Sequence, residues 1–204
     1  GPNFGAGTSS LNYLGEDTIN YLDHYTLKKS YIENPWESLV LACNVIDNVE
    51  DYEDPYTALN QYLDLDATLW HIANEIIFSD DDSYIHKGGM DYYIYYDTYN
   101  SRILPIEYDG NSVFGNQNTN WSPFYNENDT DFVLMNKLFE IPELRQRYLA
   151  HFRTILEESF DSEYINDLID NYAEFINQSV YEDPQKIYSY NEFLNAINSL
   201  KNYF

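Results

Sequence analysis

The stretch LDLDATLWHIANEIIFSDDDSYIHKGGMDYYIYYDTYNSRILPIEYDGNSVFG, residues 63–115, decides the fold. Leu69, Ile72, Ala73, Ile76 and Ile77 recur at helical spacing, which predicts a helix starting at Asp64 or Asp66. It ends in Ser79-Asp80-Asp81-Asp82-Ser83. A helix C-terminus already carries negative character, so successive carboxylates there are unfavourable unless a cation sits nearby. His86-Lys87-Gly88-Gly89 follows as a loop. Asp91 to Asp97 and Arg102 to Tyr108 then read as the two strands of a hairpin around a polar turn, Thr98 to Ser101. The second strand runs out at Asp109-Gly110, where glycine would let the backbone turn sharply and approach a ligand.

Two places in this stretch can carry chemistry. By periodicity alone, Asp82 and its neighbours form a solvated acidic turn; the alternative is a carboxylate held rigidly at the end of a buried helix. Asp109 follows the apolar strand residues Ile103, Leu104 and Ile106. Glu107 stands two residues earlier on the strand and points to the same face, so both carboxylates could reach one cation. Hard oxygen ligands of this kind suit magnesium, manganese or calcium rather than zinc. His24, His71, His86 and His151 are scattered without zinc-ligand spacing.

Outside this stretch, composition narrows the class. The chain has 204 residues, 44% of them hydrophobic, enough for one large domain with a real core. Thirty-five acidic against ten basic residues give a formal charge of −25, a surface that repels nucleic acid, anionic membranes and, without a bridging divalent cation, ATP. No apolar run is long enough to span a bilayer. The single cysteine, Cys43, excludes an internal disulfide framework and reads as a buried, inert thiol in LVLACNVI. Twenty-two tyrosines are expected to pack half-buried, rings on apolar surface and hydroxyls toward water.

Gly1-Pro2 reads as the scar of a cleaved tag, leaving residues 3–204 as a single domain. Tyr25 to Lys29 reads as a short strand. Asn34-Pro35-Trp36-Glu37 reads as a helix start in which Asn34 caps and Glu37 bonds back. Pro55 opens a shorter helix through Leu63. Asn111 to Asn128 is a long ordered loop with Phe114, Trp121, Phe124 and Tyr125. Helices follow over Asp131 to Phe139, Pro142 to about Phe160, Ser162 to Val180, and Tyr190 to the C-terminus. The fold class is mainly α with one small antiparallel β-hairpin.

The motif order resembles the core of the CotH family, atypical protein kinases of the spore coat. That family has an apolar helix, an Asp-containing turn, Asn-Tyr-Tyr-x-Tyr, then Pro-Trp-Asp-x-Asp-Gly running on to Phe-Gly. This chain has Asp82-Ser83, Asp91-Tyr92-Tyr93-Ile94-Tyr95, and Pro105-Ile106-Glu107-Tyr108-Asp109-Gly110 with Phe114-Gly115. The resemblance implies a protein-kinase-like C-lobe that binds ATP with magnesium or manganese and phosphorylates Ser or Thr of an acceptor protein in an extracellular or spore-coat setting. It implies that Asp82 orients the acceptor hydroxyl, that Asp109 holds the metal against the nucleotide phosphates, and that Asp91 is a second metal-side ligand. The chain departs from the family at Asp91, where Asn is usual, and at Ile106-Glu107, where Trp-Asp is usual. The family's nucleotide-clamping strands and lysine are expected before this region; the nearest lysines in sequence are Lys28, Lys29 and Lys87. These departures leave a second expectation: a degenerate interaction module, or a calcium-stabilised structural domain, of a secreted, cellulosome-type assembly.

Overall fold

The structure is a computed structural model that describes residues 9–86, 89–115 and 120–204. Gly1-Pro2, Lys87, Gly88 and part of the Asn111–Asn128 loop lie outside the described residues. The chain divides into two compact units, residues 1–152 and 153–204.

In the first unit, α1 (Pro35–Asp47) begins at the expected proline, but the Asn34 side chain makes no capping bond. The Glu37 amide instead bonds the Asn34 carbonyl at 3.3 Å. Helix α2 (Pro55–Tyr62) is capped by Asp54, which accepts from the Thr57 amide and hydroxyl at 3.1 and 2.6 Å. Helix α3 (Leu65–Ile77) is capped by Asp64, which accepts from the Ala67 amide at 3.1 Å. Its Leu69, Ile72, Ala73, Ile76 and Ile77 are buried, as their spacing predicts. Cys43 is buried in α1, and desolvation pushes its thiol well up, so it is held as the unreactive neutral form.

The hairpin forms over β1 (Tyr92–Asp97) and β2 (Arg102–Glu107), antiparallel from Tyr92↔Glu107 to Asp97↔Arg102. Asp97 organises the turn, taking the Tyr99 amide on its carboxylate (2.9 Å) and the Ser101 amide on its carbonyl (2.8 Å). Alternation decides which residues look inward. On β2, Ile103 and Pro105 are buried, while Ile106 is exposed and pairs with the exposed Tyr93. The Asp64 amide donates to the Ile103 carbonyl at 2.8 Å, and Leu63 bridges Ile103 in parallel. The start of α3 is thereby fixed to the inward row of β2.

The strand expected at Tyr25–Lys29 does not form. Tyr25 turns back on itself, its amide on the Tyr21 carbonyl at 2.9 Å and its hydroxyl accepting the Leu11 amide at 2.9 Å. The tyrosines also split more sharply than expected. Tyr21, Tyr84 and Tyr148 are fully buried, whereas Tyr99 is 97% exposed. Each buried hydroxyl finds backbone: Tyr21 donates to Gly15 (3.1 Å), Tyr148 to Pro123, and Tyr84 to Ser10 (3.1 Å) while accepting the Leu134 amide (2.9 Å). Helix α4 (Val133–Leu138) is thus tied to the loop after α3.

Helix α5 (Pro142–Ser159) runs past the boundary between the units. The second unit contains α6 (Ser162–Glu182), capped by Asp161 with two bonds of 3.0 Å, and α7 (Tyr190–Lys201). Ser189 and Glu192 form a full capping box at α7. Among the described residues no helix is long and apolar enough to cross a membrane.

Candidate functional site

Helix α3 ends at Ile77, and the chain turns through Ser79 in a left-handed conformation (φ 54°). The acidic run that follows is not a solvated turn. Asp80 is 2% exposed, its amide bonds the Glu75 carbonyl at 2.9 Å, and its Oδ1 accepts the Asp82 amide at 3.1 Å. Burial, with Glu75 and Asp82 adding repulsion, raises its pKa. Asp82 is half-buried beside it.

Glu75 governs the next turn. Its side chain is wholly buried, and its two oxygens accept the Tyr84 and Ile85 amides, each at 3.2 Å. One turn before it on the same face, His71 Nε2 lies 2.8 Å from Glu75 Oε1, while Nδ1 lies 3.7 Å from Glu107 Oε2. Glu107 reaches this place because it continues the inward row of Ile103 and Pro105.

Asp91 and Asp109 flank the hairpin base, both in left-handed backbone conformations (φ 46° and 59°). Strand β2 stops at Glu107, so strand alternation does not extend to Asp109, which caps a 3-10 turn over Gly110–Ser112. The sharp bend belongs to Asp109 itself; Gly110 does not have a positive φ, and a Cβ there would meet only Val113 Cγ1 at 3.7 Å. Gly89 is the glycine that is needed: at φ 66°, its Cβ would lie 2.8 Å from the Ser9 carbonyl oxygen. Gly110→Ala is therefore expected to leave stability within about 0.5 kcal/mol. Gly89→Ala should cost about 1–2 kcal/mol from backbone strain alone, with the clash added. Denaturant unfolding of both variants checks the contrast.

The predicted residues fall into two neighbouring groups. Burial raises the pKa of Asp91, and the charges of Asp82 and Asp109 raise it further. Asp91 therefore feels the charges of the other two. Glu107 belongs with Glu75, His71 and Asp80: burial first, then Glu75, push its pKa up to about 7, His71 opposing. For His71, burial pulls the pKa down, but Glu75, Glu107 and Asp80 together outweigh it and the net shift is upward. His71, Glu75 and Glu107 offer one ligand atom each within 4.8 Å of one another. This use of His71 was missed in the scattered histidines, although His71-x-x-x-Glu75 puts both on one helix face. Of the lysines considered, Lys29 lies over the Tyr31 ring at 4.7 Å. Lys28 acts on the Tyr108 phenol against the larger, opposite effect of Tyr93.

Both shifts make stability depend on pH in one direction. Glu107 ionises at 4.5 when unconstrained and at about 7 here, so the fold binds that proton more tightly. The contribution is complete below pH 4.5 and is lost as pH rises through about 7. His71, raised from 6.5, likewise stabilises below that value and loses its contribution above its folded pKa. With the Glu107 side chain 46% exposed, solvent screens part of this. Chelator-treated protein should melt at a higher temperature near pH ~6 than near pH ~8. Thermal denaturation at the two values measures it.

Fold and site together define a mainly helical protein in which one helix end and the base of a two-stranded hairpin gather carboxylates from Glu75 to Asp109. The family model described as CotH kinase protein matches residues 5–204, and the chain belongs to that family. No curated protein matches it.

Proposed function

We propose that this CotH-family chain is a protein kinase domain that binds ATP with magnesium or manganese and phosphorylates Ser or Thr of a spore-coat or other exported protein. This reading is supported by the match to the CotH kinase family and by the placement of Asp82 in the turn after α3 and of Asp91 and Asp109 on either side of the hairpin base. Their donor set is all carboxylate oxygen, which fits a hard divalent cation. A bound cation would neutralise charge on the transferred phosphoryl group. Asp109 and Asp91 would hold it, and their left-handed backbones fix where those side chains start. Asp82 would orient the acceptor hydroxyl and take its proton. The hydroxyl oxygen bonds to the γ-phosphorus, and the bond from that phosphorus to the β,γ-bridging oxygen breaks, leaving ADP.

A second reading is supported by Asp91, which adds negative charge where the family has Asn, and by Glu107, which sits with His71 and Glu75. On this reading the chain is a degenerate module, interacting through its tyrosines or stabilised by calcium.

Thermal denaturation separates the two. Magnesium or manganese with ATP at about 100 times Kd adds about 2.7 kcal/mol, several degrees for a chain of this size, and Asp109→Ala should remove the rise. Calcium alone raising the midpoint, with ATP adding nothing, supports the structural module. No response to either supports the interaction module.

A further inference from the structure

We propose that His71, Glu75 and Glu107 form a second cation site, one that takes an imidazole-accepting divalent metal such as zinc or cobalt. Its ligands include an imidazole, unlike the oxygen-only group of Asp82, Asp91 and Asp109, and the proposal does not rest on phosphoryl transfer.

Its residues are placed by two independent regularities. His71 and Glu75 are one turn apart on α3, and Glu107 is the third member of the inward row of β2. The fastening of Asp64 to Ile103 sets helix and strand in register. One ligand atom from each residue already lies within 4.8 Å of the others. An ion bound at about 2.1 Å from each needs them within about 4.2 Å, so the group must tighten slightly around it.

The His71 side chain is only 7% exposed, and its Nε2 lies 2.8 Å from Glu75 Oε1, close enough for nitrogen and carboxylate to share one ion. Glu75 is also held in place: the Tyr84 and Ile85 amides fix its orientation, one on each oxygen. Glu107, at 46% side-chain exposure, opens the group to solvent, giving an entry path and room for a water ligand. The imidazole favours zinc or cobalt over magnesium.

The test is a cobalt titration of the whole chain, followed by visible absorption, in a large excess of magnesium to fill any oxygen-only site. One cobalt is expected to bind despite the magnesium and to persist in Asp109→Asn. His71→Gln and Glu107→Gln should each weaken it by about 10–100-fold or more. Should His71→Gln fail to fold by circular dichroism, Glu107→Gln, altered at a half-exposed position, decides alone. Cobalt displaced by magnesium, lost in Asp109→Asn, or bound equally by the His71 and Glu107 variants overturns the site. The kinase reading fails on a separate readout, the ATP-dependent stabilisation.

Discussion

Glu75→Ala is expected to destabilise the first unit by about 3–5 kcal/mol, as removal of one partner from a buried charged pair does. The loss is more than an ion pair. The Tyr84 and Ile85 amides, both buried, would lose their acceptors, and His71 would keep Glu107 alone, at 3.7 Å. Each orphaned amide carries its own desolvation cost. The turn that Glu75 holds also carries Tyr84, whose hydroxyl links Ser10 to the first turn of α4. At 2–4 °C per kcal/mol for chains of 150–250 residues, the midpoint should fall by roughly 6–20 °C. Glu75→Gln, which keeps one acceptor oxygen and the shape, should fall by clearly less. Thermal denaturation of the two variants against the parent checks both the size and the order.

Asp82→Asn should lower the rate of phosphoryl transfer by about 10²–10⁴-fold while leaving nucleotide binding nearly intact. On the proposed assignment, Asp82 deals with the acceptor hydroxyl, and Asp91 and Asp109 with the metal. The asparagine keeps the volume and the amide bond to Asp80 Oδ1 that seats the residue, but it cannot take a proton. Asp109→Ala should instead lose transfer and ATP binding together. Transfer of labelled phosphate to a generic Ser/Thr substrate, measured beside ATP affinity, separates them. Equal loss of affinity in both variants would contradict the division of roles.

The helices and hairpin of the first unit were legible because strong periodicities wrote them. The α3 spacing, Pro55 and the Asp97–Arg102 turn each placed an element within a residue or two of where it lies. The short strand at Tyr25 was not, because its apolar alternation cannot reveal that the backbone is spent on Tyr21 and the side chain on Leu11. Asp82, Asp91 and Asp109 could be singled out in the sequence, and the structure places them in the turn after α3 and on either side of the hairpin base. Asp80 could not be, since a run of aspartates looks solvated until the bond from Asp82 and the packing around it are known. Glu107 was paired with Asp109 by assuming that the strand continued; it stops two residues short, and the inward row delivers Glu107 to α3. The His71–Glu75 spacing was present in the sequence, but only β2 supplies the third member.

The account depends on a divalent cation making a polyphosphate acceptable on a surface of charge −25. Calorimetric titration of ATP into the protein tests this most directly, once with manganese and once with chelator. Saturable binding of one ATP with manganese, absent in chelator and absent in Asp109→Ala, is the predicted result. ATP binding that is unchanged by chelator, or that survives Asp109→Ala at full affinity, would contradict it.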